Sequence, residues 1–138
     1  MTRTHFRFHW PATTQAAASA RRTAQLLPVS VDGDSFDELK LLLSEAVLGV
    51  VDRSRSQASD EVELGVSVAE HALRAEVTLG GTSSTRPPEF SGWGMLVVDT
   101  LSSGWGVLRG PGSGIWFELP FGFRRSGASS GPRTRKAA

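Results

Sequence analysis

Two neighbouring segments of strictly alternating apolar residues constrain the fold of this 138-residue chain more than any other feature. The alternation covers residues 62–69 (VELGVSVA) and returns at residues 73–79 (LRAEVTL), after a short link at Glu70 and His71. Successive side chains of a strand point to opposite faces of a sheet, so this pattern predicts two strands with one covered face. Other elements of the chain must then cover that face.

A further strand and a helix are expected before these segments. Residues 5–10 (HFRFHW) alternate in the same way, which is typical of a half-buried strand. Residues 13–27 are rich in strong helix formers, and Thr13 or Thr14 is suited to cap the helix that they predict. Pro28 ends this helix, because proline cannot continue it.

A second, longer helix is predicted from Asp34 or Ser35 to residue 54. Ser35 and Glu38 have the spacing of a capping box, in which each side chain bonds the backbone N–H of the other residue. The apolar residues of this helix recur every three or four positions, which predicts one buried face. They are Phe36, Leu39, Leu43, Ala46, Val47 and Val50.

The last third of the chain adds a helix and two strands. Residues 92–103 return to helical spacing, and residues 105–108 and 115–119 are expected to form strands on either side of a glycine-rich turn. Residues 54–60 and 80–91 are predicted loops. The order strand, two helices, two strands, helix, two strands favours an α/β two-layer sandwich, with a mixed sheet and the helices on one face.

The composition excludes several classes of protein. The chain is 39% hydrophobic and 21% charged, which is enough apolar material for a core. It has no cysteine, so disulfides, thiolate zinc sites, iron–sulfur clusters and cysteine nucleophiles are excluded. No apolar run approaches the roughly 18 residues of a membrane span, and the N-terminus lacks the apolar segment of a signal peptide. A soluble, cytoplasmic protein without membrane contact is therefore expected.

Charge is distributed unevenly along the chain. The last 15 residues contain no acid and five bases, which are Arg124, Arg125, Arg133, Arg135 and Lys136. Subtracting these five from the 15 bases leaves ten against 14 acids, a formal charge of −4 for residues 1–123. We therefore expect a single domain over residues 1–123 that does not bind nucleic acid directly, and a basic, disordered tail over residues 124–138. Weak contact with a polyanion is the alternative role of the tail.

The commonest catalytic and metal-binding motifs are absent from the sequence. His5 and His9 would lie about 13 Å apart along one face of a strand, too far for one metal ion, so we interpret them as partly exposed strand residues. No nucleophile-elbow, Walker or paired-glycine dinucleotide motif occurs. Glu45 and Asp52 lie roughly two turns apart on the predicted helix. This separation is more typical of a row of solvent-exposed acids than of a catalytic acid–base pair. No metal site is expected.

Two longer segments, taken in their order and spacing, resemble a known family. The first is SEAVLGVVDR (44–53) in the second helix. The second is GWGMLVVDTL (92–101), which is followed by the aromatic strand GIWFEL (114–119). Together they resemble the small GHKL-type ATPase-like domains of bacterial anti-sigma factors, the serine-protein kinases of partner-switching pathways. The resemblance covers residues 5–120 and implies the Bergerat ATP-binding fold.

The resemblance implies roles for the long helix and for the strand before the second predicted loop. In the family a helical glutamate acts as general base and an asparagine one turn later binds magnesium, and here these positions are Glu45 and Gly49. An aspartate at the strand end accepts a hydrogen bond from the adenine amino group, and its position here is Leu79, followed by Gly80 and Gly81. Glycine has no side chain to bind a metal, and leucine cannot accept that hydrogen bond.

The glycines that open the third helix keep the pattern of the family. Gly92 and Gly94 let the backbone approach a phosphate at the start of a helix, where unpaired N–H groups favour an anion. Trp93 between them is large for such a loop, and its ring is a candidate to fill the space of a nucleotide. The predicted nucleotide-binding residues are Gly49, Leu79, Gly80, Gly81, Gly92, Trp93 and Gly94, with Glu45 as the catalytic residue of an active kinase.

Two functional hypotheses follow from the resemblance and the departures from it. The first is a degenerate family member without a cofactor, which binds a sigma factor, an anti-anti-sigma protein of the STAS type, or a second copy of itself. Nucleotide binding and kinase activity are then weakened or lost, Glu45 is a surface acid, and the Gly92–Gly94 segment is a glycine loop before a packed helix. The second is an active serine-protein kinase that uses ATP and Mg²⁺, with Glu45 as base and Asp52 as a candidate substitute ligand.

Overall fold

The computed structural model describes residues 4–29, 32–51, 60–80, 92–108 and 114–120 of the chain. Its elements are β1 (Thr4–Pro11), α1 (Gln15–Thr23), a 3-10 turn (Ala24–Leu26), α2 (Gly33–Val50), β2 (Glu61–Val68), β3 (Ala72–Gly80), α3 (Gly92–Leu101), β4 (Gly104–Leu108) and β5 (Gly114–Pro120). The predicted order of strands and helices is confirmed. Most of the two predicted loops, the glycine-rich turn and the basic tail lie outside the described residues.

The five strands form one sheet in the order β1-β2-β3-β5-β4. All four pairings between neighbouring strands are antiparallel, so the prediction of a mixed sheet is wrong. The reason lies in the connections. After α1 and α2, β2 begins at Glu61, beside Pro11 at the end of β1. β2 therefore runs antiparallel to β1. β4 runs in the same direction as β3, but β5 lies between them and pairs with both in the antiparallel sense.

The alternation along the strands separates a covered face from an open one, as predicted. In β2 the buried residues Val62, Leu64, Val66 and Val68 alternate with exposed or half-buried ones, and β3 repeats the pattern in register. The covered face joins the buried side chains of the helices in one hydrophobic cluster. The protein is therefore an α/β two-layer sandwich with its helices on one face of the sheet.

The helix ends differ from the prediction. α2 begins at Gly33, and its N-cap is Asp32, whose carboxylate accepts a hydrogen bond from the Ser35 N–H over 2.7 Å. Ser35 is thus the third residue of the helix, so the predicted capping box with Glu38 is wrong. α1 has no side-chain cap at Thr14, and it passes into the 3-10 turn rather than continuing as an α-helix to residue 27.

Within the described ranges, none of the helices is both long and apolar enough to cross a membrane.

Candidate functional site

Three paired strand residues define one end of the sheet. Pro11, Glu61 and Gly80 are paired neighbours at this end, which we call the Pro11 end. α2 ends at Val50 and precedes β2, which begins at this end with Glu61. α3 packs against α2 and ends at Leu101, three residues before Gly104. Ser103 donates its N–H to the Glu118 carbonyl, so the C-terminus of α3 leads into the opposite end of the sheet.

α2 contributes Glu45 and Gly49, which lie one turn apart and are both half-buried. In the described part of the chain, Glu45 has no hydrogen bond or ion pair. Its neighbour Ser44 is buried, and the Ser44 hydroxyl donates to the carbonyl of Leu41 over 3.1 Å. Because Gly49 adds no side chain, Glu45 supplies the one carboxylate of these two positions.

The end of β3 presents apolar surface where the family has a carboxylate. Leu79 pairs with Val62, points to the covered face and is 8% exposed. Gly80 follows it and is exposed, and a Cβ atom there would meet only the Glu61 carbonyl oxygen, at 3.8 Å. Packing therefore does not require glycine at position 80. Gly81 lies outside the described residues.

Gly92, Trp93 and Gly94 form the first turn of α3, in agreement with the predicted helix start. Gly94 is half-buried. The side chain of Trp93 lies outside the described part of the structure, so the idea that its ring fills the nucleotide space stays a prediction. Further along, Asp99 accepts a hydrogen bond from the indole N–H of Trp105 over 3.1 Å, which ties α3 to β4.

Asp60 was assigned to a polar loop, but the structure buries it immediately before β2. It is 2% exposed, and its carbonyl accepts a hydrogen bond from the Ala12 N–H over 3.0 Å.

His5 and His9 lie exposed on β1, as predicted. Among the residues that the structure describes, no group of three or more His, Asp or Glu side chains is arranged to hold a metal ion.

The open face of the sheet carries a polar cluster that sequence reasoning missed. Arg74 donates from Nε and Nη2 to Glu76, over 3.3 and 3.2 Å, and from Nη1 to Glu118 over 3.3 Å. Its guanidinium also lies over the ring of Trp116, 4.3 Å from the ring centroid. These contacts join β3 to β5 and orient Arg74 on the sheet.

A concavity of about 470 Å³ lies beside this cluster, above Gly65 of β2. We call it the Gly65 bowl. Its polar lining includes His5, Arg7, Ser67, Arg74 and Glu76. Gly65 pairs with Arg7 on one side and with Glu76 on the other, so its missing side chain leaves a gap between a cation and an anion.

Both β1 residues at the rim of the bowl have partners. His5 Nδ1 lies 2.9 Å from the hydroxyl of Ser67, and Nε of Arg7 lies 3.0 Å from the carboxylate of Glu63. The alternation in the sequence indicates which residues lie on the open face of the sheet, because the residues between the buried ones must point to the opposite face. The sequence did not contain the register, which places Arg7 beside Gly65.

No protein-family model matches the chain, and no curated protein is significantly similar to it.

Proposed function

We propose that the protein is a regulatory, protein-binding domain similar to an anti-sigma factor, with ATP binding and kinase activity weakened or lost. It acts in the cytoplasm through contact with a sigma factor, an anti-anti-sigma protein of the STAS type, or a second copy of itself. The proposal starts from the resemblance over residues 5–120, which also implies the Bergerat fold.

The element order supports this proposal. The order strand, two helices, two strands, helix, two strands agrees with the expected order, while the antiparallel sheet differs from the mixed sheet that was expected with the Bergerat fold. The segments that would surround a nucleotide are the second half of α2, the end of β3 and the start of α3. The proposal requires all three to lie near the Pro11 end of the sheet, where β3 ends.

The burial of Leu79 is the observation that carries the proposal. At 8% exposure its side chain belongs to the hydrophobic core, and it has no group that could accept a hydrogen bond from adenine. The loss of such a hydrogen bond costs about 1–3 kcal/mol, or roughly one to two powers of ten in affinity. Position 79 therefore stabilises the fold and does not read the base.

Gly49 adds a second loss. Phosphoryl transfer needs a metal ion to neutralise the developing charge, and glycine provides no ligand for one. The apolar pattern that builds the sandwich is kept, while two polar ligand positions are not. A protein that acts only by binding partners tolerates this combination, whereas a kinase would need other residues to replace both groups.

An active kinase is the second candidate, and Glu45 is the observation that favours it. Its carboxylate is half-buried and unpaired in the described part of the chain, which would leave it available as a base. This reading requires another residue to hold Mg²⁺, and it predicts that Glu45→Gln abolishes phosphoryl transfer.

Co-expression with each sigma factor and each STAS-type protein of the source genome tests the proposal. We expect a stoichiometric complex with one of them, or a homodimer, that forms without nucleotide and survives Glu45→Gln. Glu38→Gln on the same helix serves as the matched control. A complex that needs ATP, or a phosphoserine on the partner that disappears in Glu45→Gln, would instead establish the kinase. Failure to form any complex would contradict both readings.

A further inference from the structure

The glycine at position 65 is explained neither by packing nor by backbone conformation. A Cβ atom built on Gly65 would meet no other atom within 4 Å, and the residue lies in extended strand between two paired neighbours. Glycine inside a strand costs stability relative to residues with side chains. An interior strand glycine commonly marks a place where a ligand or another backbone comes close.

Hydrogen-bond donors predominate around this open space. The guanidinium groups of Arg7 and Arg74, the hydroxyl of Ser67 and the imidazole of His5 line the bowl. Glu76 is the one acidic residue in this lining, and its Oε2 atom already accepts from Arg74. Glu63, Glu76 and Glu118 already pair with the two guanidinium groups, so a preference for an acceptor-rich ligand rests on the remaining hydrogen-bond donors and not on a net positive charge.

Arg7 has the geometry to bind such a group. Within the described residues its recorded ion pair, with Glu63, is through Nε, so the two terminal nitrogens remain for a ligand. The side chain is 70% exposed, which leaves it free to turn over Gly65. The terminal nitrogens of a guanidinium match the two oxygens of a carboxylate or phosphate in a bidentate pair.

We propose that the Gly65 bowl binds a small ligand through an oxyanion, a carboxylate or a phosphate group, held by Arg7 in the space above Gly65. His5 and Ser67 supply further hydrogen bonds beside it. The volume of about 470 Å³ lies in the usual range for small-molecule sites. The bowl is on the open face of the sheet, so this site is independent of the Pro11 end and of the function proposed above.

Nuclear magnetic resonance of the full chain tests this site, with inorganic phosphate and succinate titrated separately at constant pH and ionic strength. We expect saturable shifts of the Arg7, Gly65 and Ser67 amide signals with at least one of the two anions. A response to phosphate alone identifies a phosphate site, and a response to succinate alone identifies a carboxylate site.

Two variants locate the binding. Arg7→Gln should weaken it by roughly 10- to 100-fold, because a charge-assisted pair is lost. Gly65→Val should weaken it by occupying the space directly above residue 65, while the fold is retained because the Cβ position is open. Arg21→Gln, on the exposed surface of α1, is the control and should bind as the unmodified chain does.

The proposal is overturned if neither anion shifts these signals up to tens of millimolar, or if Gly65→Val binds with unchanged affinity. Unchanged affinity in Arg7→Gln would also overturn it, because Arg7 is the residue assigned to hold the oxyanion. None of these results bears on partner binding or on ATP, so failure here is distinct from failure of the proposed function.

Discussion

At the scale of single residues, two strand glycines show how differently the same residue type can be used. Gly114 begins β5 so close to β3 that a Cβ atom would overlap the Val77 carbonyl and lie 2.8 Å from Cα of Thr78. Gly65 has open space at the same position. The first glycine is required by the packing of two strands, and the second is not.

This contrast predicts opposite effects of one substitution. Gly114→Ala should lower the free energy of unfolding by about 1–3 kcal/mol, because neighbouring backbone must move. Gly65→Ala should leave it unchanged or raise it by about 0.4–1 kcal/mol, because the unfolded chain loses freedom. Urea denaturation of both variants measures the difference. Equal destabilisation by the two would show that the space above Gly65 is not open.

The indole N–H of Trp105 provides a second prediction at this scale. Trp105 is 8% exposed and donates to Asp99 over 3.1 Å. Asp99→Ala removes this acceptor, so it should destabilise the protein by about 1–3 kcal/mol. Asp99→Asn keeps an oxygen at the same position and should lose less. The account of this contact is wrong if the two variants have the same midpoint in thermal unfolding.

Residue environments were only partly predictable. The buried positions of β2 and β3 followed from alternation, and the exposure of His5 and His9 followed from their place on one strand face. The burial of Asp60 did not, because it depends on how the end of the loop packs against β2. The partners of Arg74 could not be predicted either, because its contacts with Glu118 and Trp116 join strands that are far apart in sequence.

At the scale of elements, the N-terminus of α2 can be stabilised in two ways: by the Asp32 cap that the structure shows, or by the predicted capping box of Ser35 and Glu38. Asp32→Ala removes the carboxylate that accepts from the Ser35 N–H, so it should cost about 0.5–2 kcal/mol. Glu38→Ala, the control, removes the residue of the predicted capping box and should cost clearly less. Chemical denaturation measures the free energy of unfolding of both variants. A larger loss of stability in Glu38→Ala than in Asp32→Ala would support the predicted capping box and contradict the Asp32 cap.

The kind and order of the elements were predictable, while their pairing and their ends were not. Alternation and helical spacing are local properties of sequence, and they located the strands and α-helices that the structure describes. Strand direction depends on where a later strand is inserted, and β5 between β3 and β4 made the sheet antiparallel throughout the described residues. Helix ends depend on which nearby side chain reaches the free N–H groups, and Asp32 does so before Ser35.

At the scale of the whole molecule, the two faces of the sheet have separate chemistry. The covered face and the helices form the core. The open face carries the Arg74 cluster and the Gly65 bowl. Alternation and helical spacing predicted the covered face, because its signals lie in contiguous segments. They missed the cluster and the bowl, because these are assembled from alternate residues of β1, β2, β3 and β5.

We propose that the Pro11 end has the layout of a nucleotide site without the groups that bind a nucleotide tightly. Isothermal titration of ATP and ADP into the full chain, with and without Mg²⁺, tests it most directly. Tryptophan fluorescence recorded in parallel gives an independent signal from the four tryptophans of the chain. The account predicts no binding in the micromolar range and no effect of Mg²⁺. Micromolar ATP binding that Mg²⁺ tightens would contradict it.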